Sequence, residues 1–159
     1  MSSHQNLAAP ESNERKGKDE TVITAIAVKT PQARLRFLPA KLGRYYLVFE
    51  NAIYHWMNRH AVTYRGGYWE FYQLSNGGFY LQPPKNYMLN SPNGFCGEVN
   101  VQEAGIIVCL ILLSHFSFVT HEKGHQEDCK RISACFHQLR DFVLTLSPES
   151  QTKIFNGID

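Results

Sequence analysis

Three side chains able to bind a metal recur at four-residue intervals: His121, His125 and Cys129. On a continuous helix that spacing aligns them on one face, and imidazole with thiolate suits zinc. Gly124 interrupts the run, however, and Thr120–Gln126 (THEKGHQ) reads as a loop. A fourth ligand is also missing, because Cys135 does not share the face. The expectation is a solvated loop followed by a core-facing Cys129, with no metal and no other cofactor. Cys96 and Cys109 are the candidate nucleophiles. Cys109 lies within an apolar run, where burial raises a thiol pKa and makes it inert. Cys96 has no histidine close in sequence. Glu70 and Glu98 fall on separate strand-like segments and form an acid–base pair only if the fold sets them at a suitable distance. No other catalytic grouping accompanies them, so they read as structural glutamates in a protein that is not an enzyme.

The glycines fit no phosphate loop: neither G-x-x-x-x-G-K-[ST] nor a strand-to-helix G-x-G-x-x-G occurs. Gly94-Phe95-Cys96-Gly97 lies in a hairpin-like stretch, not between helices as a nucleic-acid clamp would. Tyr68, Trp69, Phe71, Tyr72, Phe79 and Tyr80 could stack bases if one sheet face were open and rimmed with cations. Only Arg65 and Lys85 flank them, so core packing is the favoured reading. A weak single-strand nucleic-acid-binding module is the alternative function.

Composition narrows the class further. A chain of 159 residues that is 43% hydrophobic suits one globular domain. A formal net charge of +2 is too small for a protein gripping DNA mainly by its phosphates, and far from the negative surface of a DNA mimic. Four cysteines without an export-type apolar leader point to free thiols, a reducing compartment and a cytoplasmic protein. Ala104–Val119 is the longest apolar stretch, falls short of ~20 residues and reads as a buried helix rather than a membrane span. The sequence carries no signal of oligomeric state.

The elements that would position these residues centre on Tyr68–Leu81, YWEFYQLSNGGFYL. Asn-Gly between aromatic runs predicts a hairpin, here with Asn76-Gly77 as a two-residue loop. That register pairs Leu74 with Phe79, Gln73 with Tyr80 and Tyr72 with Leu81. Tyr68, Tyr72, Leu74, Phe79 and Leu81 then share one face, with Trp69, Phe71 and Tyr80 on the other. Residues 1–20 are polar and free of aromatics, a disordered tail by composition. Residues 21–159 form a single domain in this reading. Thr21–Thr30 is a brief β-branched patch, either an added strand or a linker, and a linker that becomes ordered near its end is the favoured reading. Pro31–Leu38 reads as a short helix stopped by Pro39. Arg44–His60 has an apolar stripe of Tyr45, Phe49, Ala52/Ile53, Trp56 and His60. Pro83-Pro84 ends the first ladder. A second hairpin joins Tyr87–Ser91 to Phe95–Val99 through Pro92-Asn93-Gly94. Asn100 and Glu103 form a capping box ahead of a central helix apolar on all sides at Ile106–Leu113. Asp128–Leu146 predicts another helix, with a seam of Cys129, Ile132, Phe136, Leu139, Val143 and Leu146. Glu149–Phe155 predicts a last short one. The fold class is α+β: a small antiparallel sheet of about three to five strands packed against three main helices.

Several separated stretches carry a resemblance. They are RLRFLPAKLG (34–43), GGYWEFYQLSNGGFYL (66–81), NGFCGEVN (93–100), AGI (104–106), FHQLRDF (136–142) and IFNGID (154–159). Together they resemble the ArdB/KlcA family of antirestriction proteins, found on plasmids and genomic islands of bacteria. The resemblance covers about four-fifths of the chain and leaves the polar tail unmatched. It implies a small α+β protein that relieves restriction by type I restriction–modification enzymes and protects incoming plasmid or phage DNA. It also implies an inhibitor that is not an acidic DNA mimic, whose partner is the type I restriction–modification enzyme complex, directly or indirectly, with weak or no DNA binding. The family supplies no catalytic residues to transfer. Exposed polar residues within the matched stretches, Glu70, Asn76, Arg140 and Asp141, mark the candidate interaction surface.

Overall fold

The computed structural model describes residues 22–159; the expected tail lies outside them. Among the described residues, six strands and five α-helices make a mixed α+β fold, its strands divided between two antiparallel sheets of three. One sheet has the order β1(Ala25–Val28)–β3(Glu70–Leu74)–β4(Phe79–Gln82). The other runs β2(Ala61–Val62)–β5(Tyr87–Asn90)–β6(Cys96–Val99). Pro83-Pro84 stands between β4 and β5, where the chain leaves the first sheet for the second. Without a proline N–H, neither position can donate to a ladder. The expected single sheet is therefore two.

Three local expectations are corrected here. Residues 25–28 are a strand rather than a linker, pairing with β3 from Ala25↔Leu74 to Val28↔Phe71. Their β-branched and alanine side chains fit a half-covered pleat, and Ile23, Ala25 and Val28 pack against the core. Helix α1 does not stop at Pro39 but runs Pro31–Leu42. Thr30 caps it by accepting from the Ala33 N–H, and burial of Phe37, Leu38 and Leu42 carries it past the proline. The β3–β4 loop, finally, has three residues, not two. Leu74 N–H donates to the Gly78 carbonyl and Gly77 N–H to the Leu74 carbonyl, with Gly77 at φ +94°. The register shifts by one, to Gln73↔Phe79, Tyr72↔Tyr80 and Phe71↔Leu81. A one-residue slip moves a side chain to the opposite face. Phe71, Phe79 and Leu81 thus lie together, and Tyr80 joins Tyr72 with their rings stacked at 5.0 Å.

The two faces find different cover. Phe37 of α1 stacks on Phe71 at 5.8 Å and meets Phe79 edge-on. Phe49 of α2 (Tyr46–His60, entered through a 3₁₀ turn at Gly43–Tyr45) also meets Phe79. As the stripe predicted, Tyr45, Phe49, Ile53 and Trp56 are buried. On the other face Tyr80 stacks on Phe142 of α4 (Gln126–Val143). Helix α4 begins two residues earlier and ends three earlier than its pattern predicted. Its buried line is Ile132, Cys135, Leu139, Phe142 and Val143, so Cys135 and Phe142 belong to it and Phe136 is only half-buried.

Helix α3 (Val101–Glu122) is the central element. Its N-terminus carries the predicted capping box: Asn100 accepts from the Glu103 N–H, and Glu103 accepts from the Asn100 N–H. The helix is long and apolar enough to cross a membrane by length and composition, yet most of its residues are buried among the other elements. It packs against α2, α4, β4 and the last helix, α5 (Pro148–Ile158). Along the outer edge of β4 the approach is closest. The Leu81 N–H donates to Cys109 Sγ at 3.4 Å, and Gly105 faces the Leu81 and Gln82 backbone. A Cβ at Gly105 would collide with the Leu81 carbonyl oxygen, which is backbone and cannot swing aside. Gly105→Ala is expected to cost about 3 kcal/mol of stability through overpacking, measured as a lowered urea midpoint.

Candidate functional surface

The two hairpin tips share one construction. In Ser75-Asn76-Gly77, Asn76 Oδ1 accepts from the Gly78 N–H at 3.0 Å; in Pro92-Asn93-Gly94, Asn93 Oδ1 accepts from the Phe95 N–H at 3.0 Å. Each asparagine then spends its amide nitrogen on a distant helix. Asn76 Nδ2 donates to the Gln138 carbonyl of α4 and Asn93 Nδ2 to the Asn156 carbonyl of α5, both at 2.9 Å. Gln138 returns a bond from Nε2 to the Asn76 carbonyl at 3.0 Å. Lys41 Nζ donates to the Gly77 carbonyl at 2.7 Å, so α1 also holds this tip. Asn-Gly selects the turn locally; its side-chain partners come from far along the chain.

Of the four candidate surface residues, Asn76 therefore already serves in a clamp between the tip and α4. Arg140 and Asp141 lie two and three residues beyond Gln138 on the same helix, both exposed. The Arg140 guanidinium sits 5.4 Å from the Phe155 ring centre, a cation–π contact that joins α4 to α5. Glu70 is half-buried at the opposite end of β3 from the tip. The fold thus brings Asn76, Arg140 and Asp141 to one helix and sets Glu70 apart. Beside Arg140, a cleft of about 550 Å³ opens between α3, α4 and α5. Ile111, His115, Phe136, Phe155 and Asp159 line it.

Other chemically capable side chains are placed elsewhere. His121 belongs to the last turn of α3 rather than to a loop, and it is exposed. The His125 ring shares a 2.7 Å hydrogen bond with the Tyr45 hydroxyl, while Cys129 Sγ donates to the Ser117 carbonyl. Among the described residues, no three His, Cys, Asp or Glu side chains gather as a metal site. Glu70 pairs with Gln82 in one sheet and Glu98 with Met88 in the other. Trp69, Phe71, Phe79 and Tyr80 are buried, leaving Tyr68 as the exposed large ring of that segment. Sequence reasoning missed two features here. Glu103 is buried, and its second oxygen accepts from Ser150 Oγ at 2.6 Å, tying the cap of α3 to α5. Arg34 lies over Phe71 at 4.1 Å and Tyr68 at 4.5 Å and donates to the Trp69 carbonyl. The Ser-Pro-Glu-Ser helix start was a signal for part of the first; nothing local marks the second.

All four cysteines are free. Burial pushes the Cys109 thiol from the ordinary 9.0 up to about 12, against the opposing effect of its bond from Leu81. Burial likewise raises Cys135 to about 11, opposed by the charges of Lys41 and Arg131. Both are packing groups rather than nucleophiles.

Profile and structure comparisons agree with this architecture. The antirestriction protein family matches residues 62–159, more than half of the chain. The chain belongs to that family. Among its relatives, an antirestriction protein KlcA of Escherichia coli is 41% identical over 125 residues, covering 74% of this chain and 84% of that protein. A second KlcA from Escherichia coli is 39% identical over 141 residues, 86% of this chain and 95% of its own length. YfjX of Escherichia coli K12, an uncharacterised protein, is 36% identical over 126 residues. A solved structure superposes with a TM-score of 0.73 at 33% identity, covering 86% of this chain and 95% of that one. It is described as showing the novel fold of KlcA and ArdB, with antirestriction activity against type I DNA restriction systems in vivo but not in vitro.

Two expectations follow from the geometry. Asn76→Ala removes two hydrogen bonds and should lower the unfolding free energy by about 1–2 kcal/mol, read from urea titration. The raised thiol pKa values carry a sign for pH. Unfolded thiols release their protons near 9.0, whereas folded Cys109 and Cys135 retain them. Their contribution to stability is therefore complete below pH 9.0 and declines as pH rises through about 11 and about 12. Unfolding midpoints of wild type and Cys109→Ala compared across that alkaline range should converge as pH rises.

Proposed function

We propose that this protein relieves type I restriction as a non-catalytic inhibitor that does not imitate DNA, protecting incoming plasmid or phage DNA in the cytoplasm. The observation that carries the reading is the 33% identity and TM-score of 0.73 to the KlcA/ArdB structure. The formal charge of +2 supports a mode other than charge mimicry of DNA. The partner in this reading is the type I restriction–modification enzyme complex, reached directly or through another cellular component. Activity of the KlcA and ArdB proteins in vivo but not in vitro supports the indirect route. Contact with DNA is weak or absent here. The interaction surface is the β3–β4 hairpin with Arg140 and Asp141; Glu70 marks its far end and Asn76 its tip.

Plating of unmodified phage on a type I-restricting strain, with a restriction-deficient strain as control, tests this. Expression should raise plating only in the restricting strain; no rise despite soluble expression would remove the reading for that system. Arg140→Ala with Asp141→Ala should abolish relief while the protein stays folded. Undiminished relief would exclude that pair as the surface.

A further inference from the structure

The β1–β3–β4 sheet has two edges, and they are treated differently. The β4 edge is sealed by α3 through Gly105 and Cys109. The β1 edge is not. Ser75 N–H donates to the Thr24 carbonyl, so Thr24, Ile26 and Val28 turn their backbone groups towards β3. Ile23, Ala25 and Ala27 turn theirs outwards, and no described residue bonds to them. Natural edges are commonly blunted with charge, proline or a bulge. Val22–Val28 contains neither a charge nor a proline, and Ile26 is 68% exposed.

The surroundings specify what would fit. Lys29 is exposed immediately after the strand. Arg34 lies over Phe71, the cross-strand neighbour of Val28, and its Nη1 is buried without a hydrogen-bond partner. Beside them a groove of about 380 Å³ is lined by Pro31, Arg34, Leu35, Tyr46 and Phe71. An uncharged edge ending at the exposed Lys29, next to an apolar groove whose lining includes the half-buried Arg34, matches an extended segment that is apolar in its middle and acidic at one end. We infer that the outer edge of β1 receives such a segment from a partner protein by strand addition. This rests on the indirect route proposed above and names where the cellular component docks. Main-chain bonds to Ala25 and Ala27 supply affinity; the groove and the cations set direction and sequence preference.

The geometry provides a selective variant. Ala27→Pro removes an outward N–H and leaves the β3 ladder its donors, because proline is tolerated where the N–H faces away from the sheet. Full-length wild type and Ala27→Pro are compared in the phage-plating assay, with urea midpoints measured in parallel. The expected result is a loss of relief of about tenfold with an unchanged midpoint. Equal relief overturns the inference while leaving the antirestriction reading intact; absent relief in wild type defeats that reading itself. Should the midpoint fall, Ile26→Lys, which places a charge on the exposed edge, decides by the same criterion. Amide exchange on purified full-length protein separates the occupants. Fast exchange at Ala25 and Ala27 at every concentration, beside slow exchange at Ile26, is expected. Protection that grows with concentration assigns the edge to a second copy, and protection independent of concentration assigns it to the chain's own residues 1–21. Either overturns the partner segment.

Discussion

The contact of helix α3 with the outer edge of β4 is the constraint on which the rest of this fold depends. A strand edge buried against apolar side chains would leave amides and carbonyls unpaired, at a cost of about 1–3 kcal/mol each. Here the Leu81 amide finds a thiol, and a glycine lets the helix approach close enough for that bond. With α3 set against β4, α1 and α2 cover one sheet face while α4 covers the other. Helix α5 closes the assembly through Ser150 and Glu103. The same arrangement protects Cys109, whose burial makes it part of the sheet edge rather than a reactive group.

The hairpin tips transmit that order outwards. Both use asparagine twice, first to shape the turn and then to reach a helix carbonyl. As a result the β3–β4 tip is tied to α1 through Lys41 and to α4 through Gln138. Arg140 and Asp141 are presented from the same helix, and Arg140 bridges towards α5 over Phe155. The tip is therefore held by hydrogen bonds from α1 and α4, and α4 in turn by the contact of Arg140 with Phe155 of α5.

The two sides of the β1–β3–β4 sheet divide the roles of stability and access. One edge is closed by α3, and at the other the outward backbone groups of Ala25 and Ala27 meet no described residue, beside the exposed Lys29. The chain belongs to the antirestriction family, and its formal net charge is a modest +2.

Much of this was legible in the sequence because it was local. The α+β class, both hairpins, the capping box at Asn100–Glu103, the buried stripe of α2 and the inert Cys109 follow from turn chemistry, periodicity and apolar runs. The family resemblance likewise rested on the quoted stretches and agrees with the family match. The errors arose where distant partners decide. Asn-Gly permits two-residue and three-residue loops alike. Gln138 and Lys41 bond to the three-residue tip, and the slip re-sorted Phe79, Tyr80 and Leu81. The Ala25–Val28 strand has too few residues to declare itself until β3 lies alongside, and Pro39 yields to the burial of Leu38 and Leu42. For the candidate surface, the exposure of Arg140 and Asp141 agrees with their helical pattern, whereas the clamp on Asn76 was invisible. The sequence by itself determined the two hairpins, the capping box, the apolar central helix and the family, since each depends on residues near one another in the chain. Only tertiary structure decided the hairpin register, the division into two sheets and which sheet edge α3 covers, because each depends on backbone groups meeting across long loops.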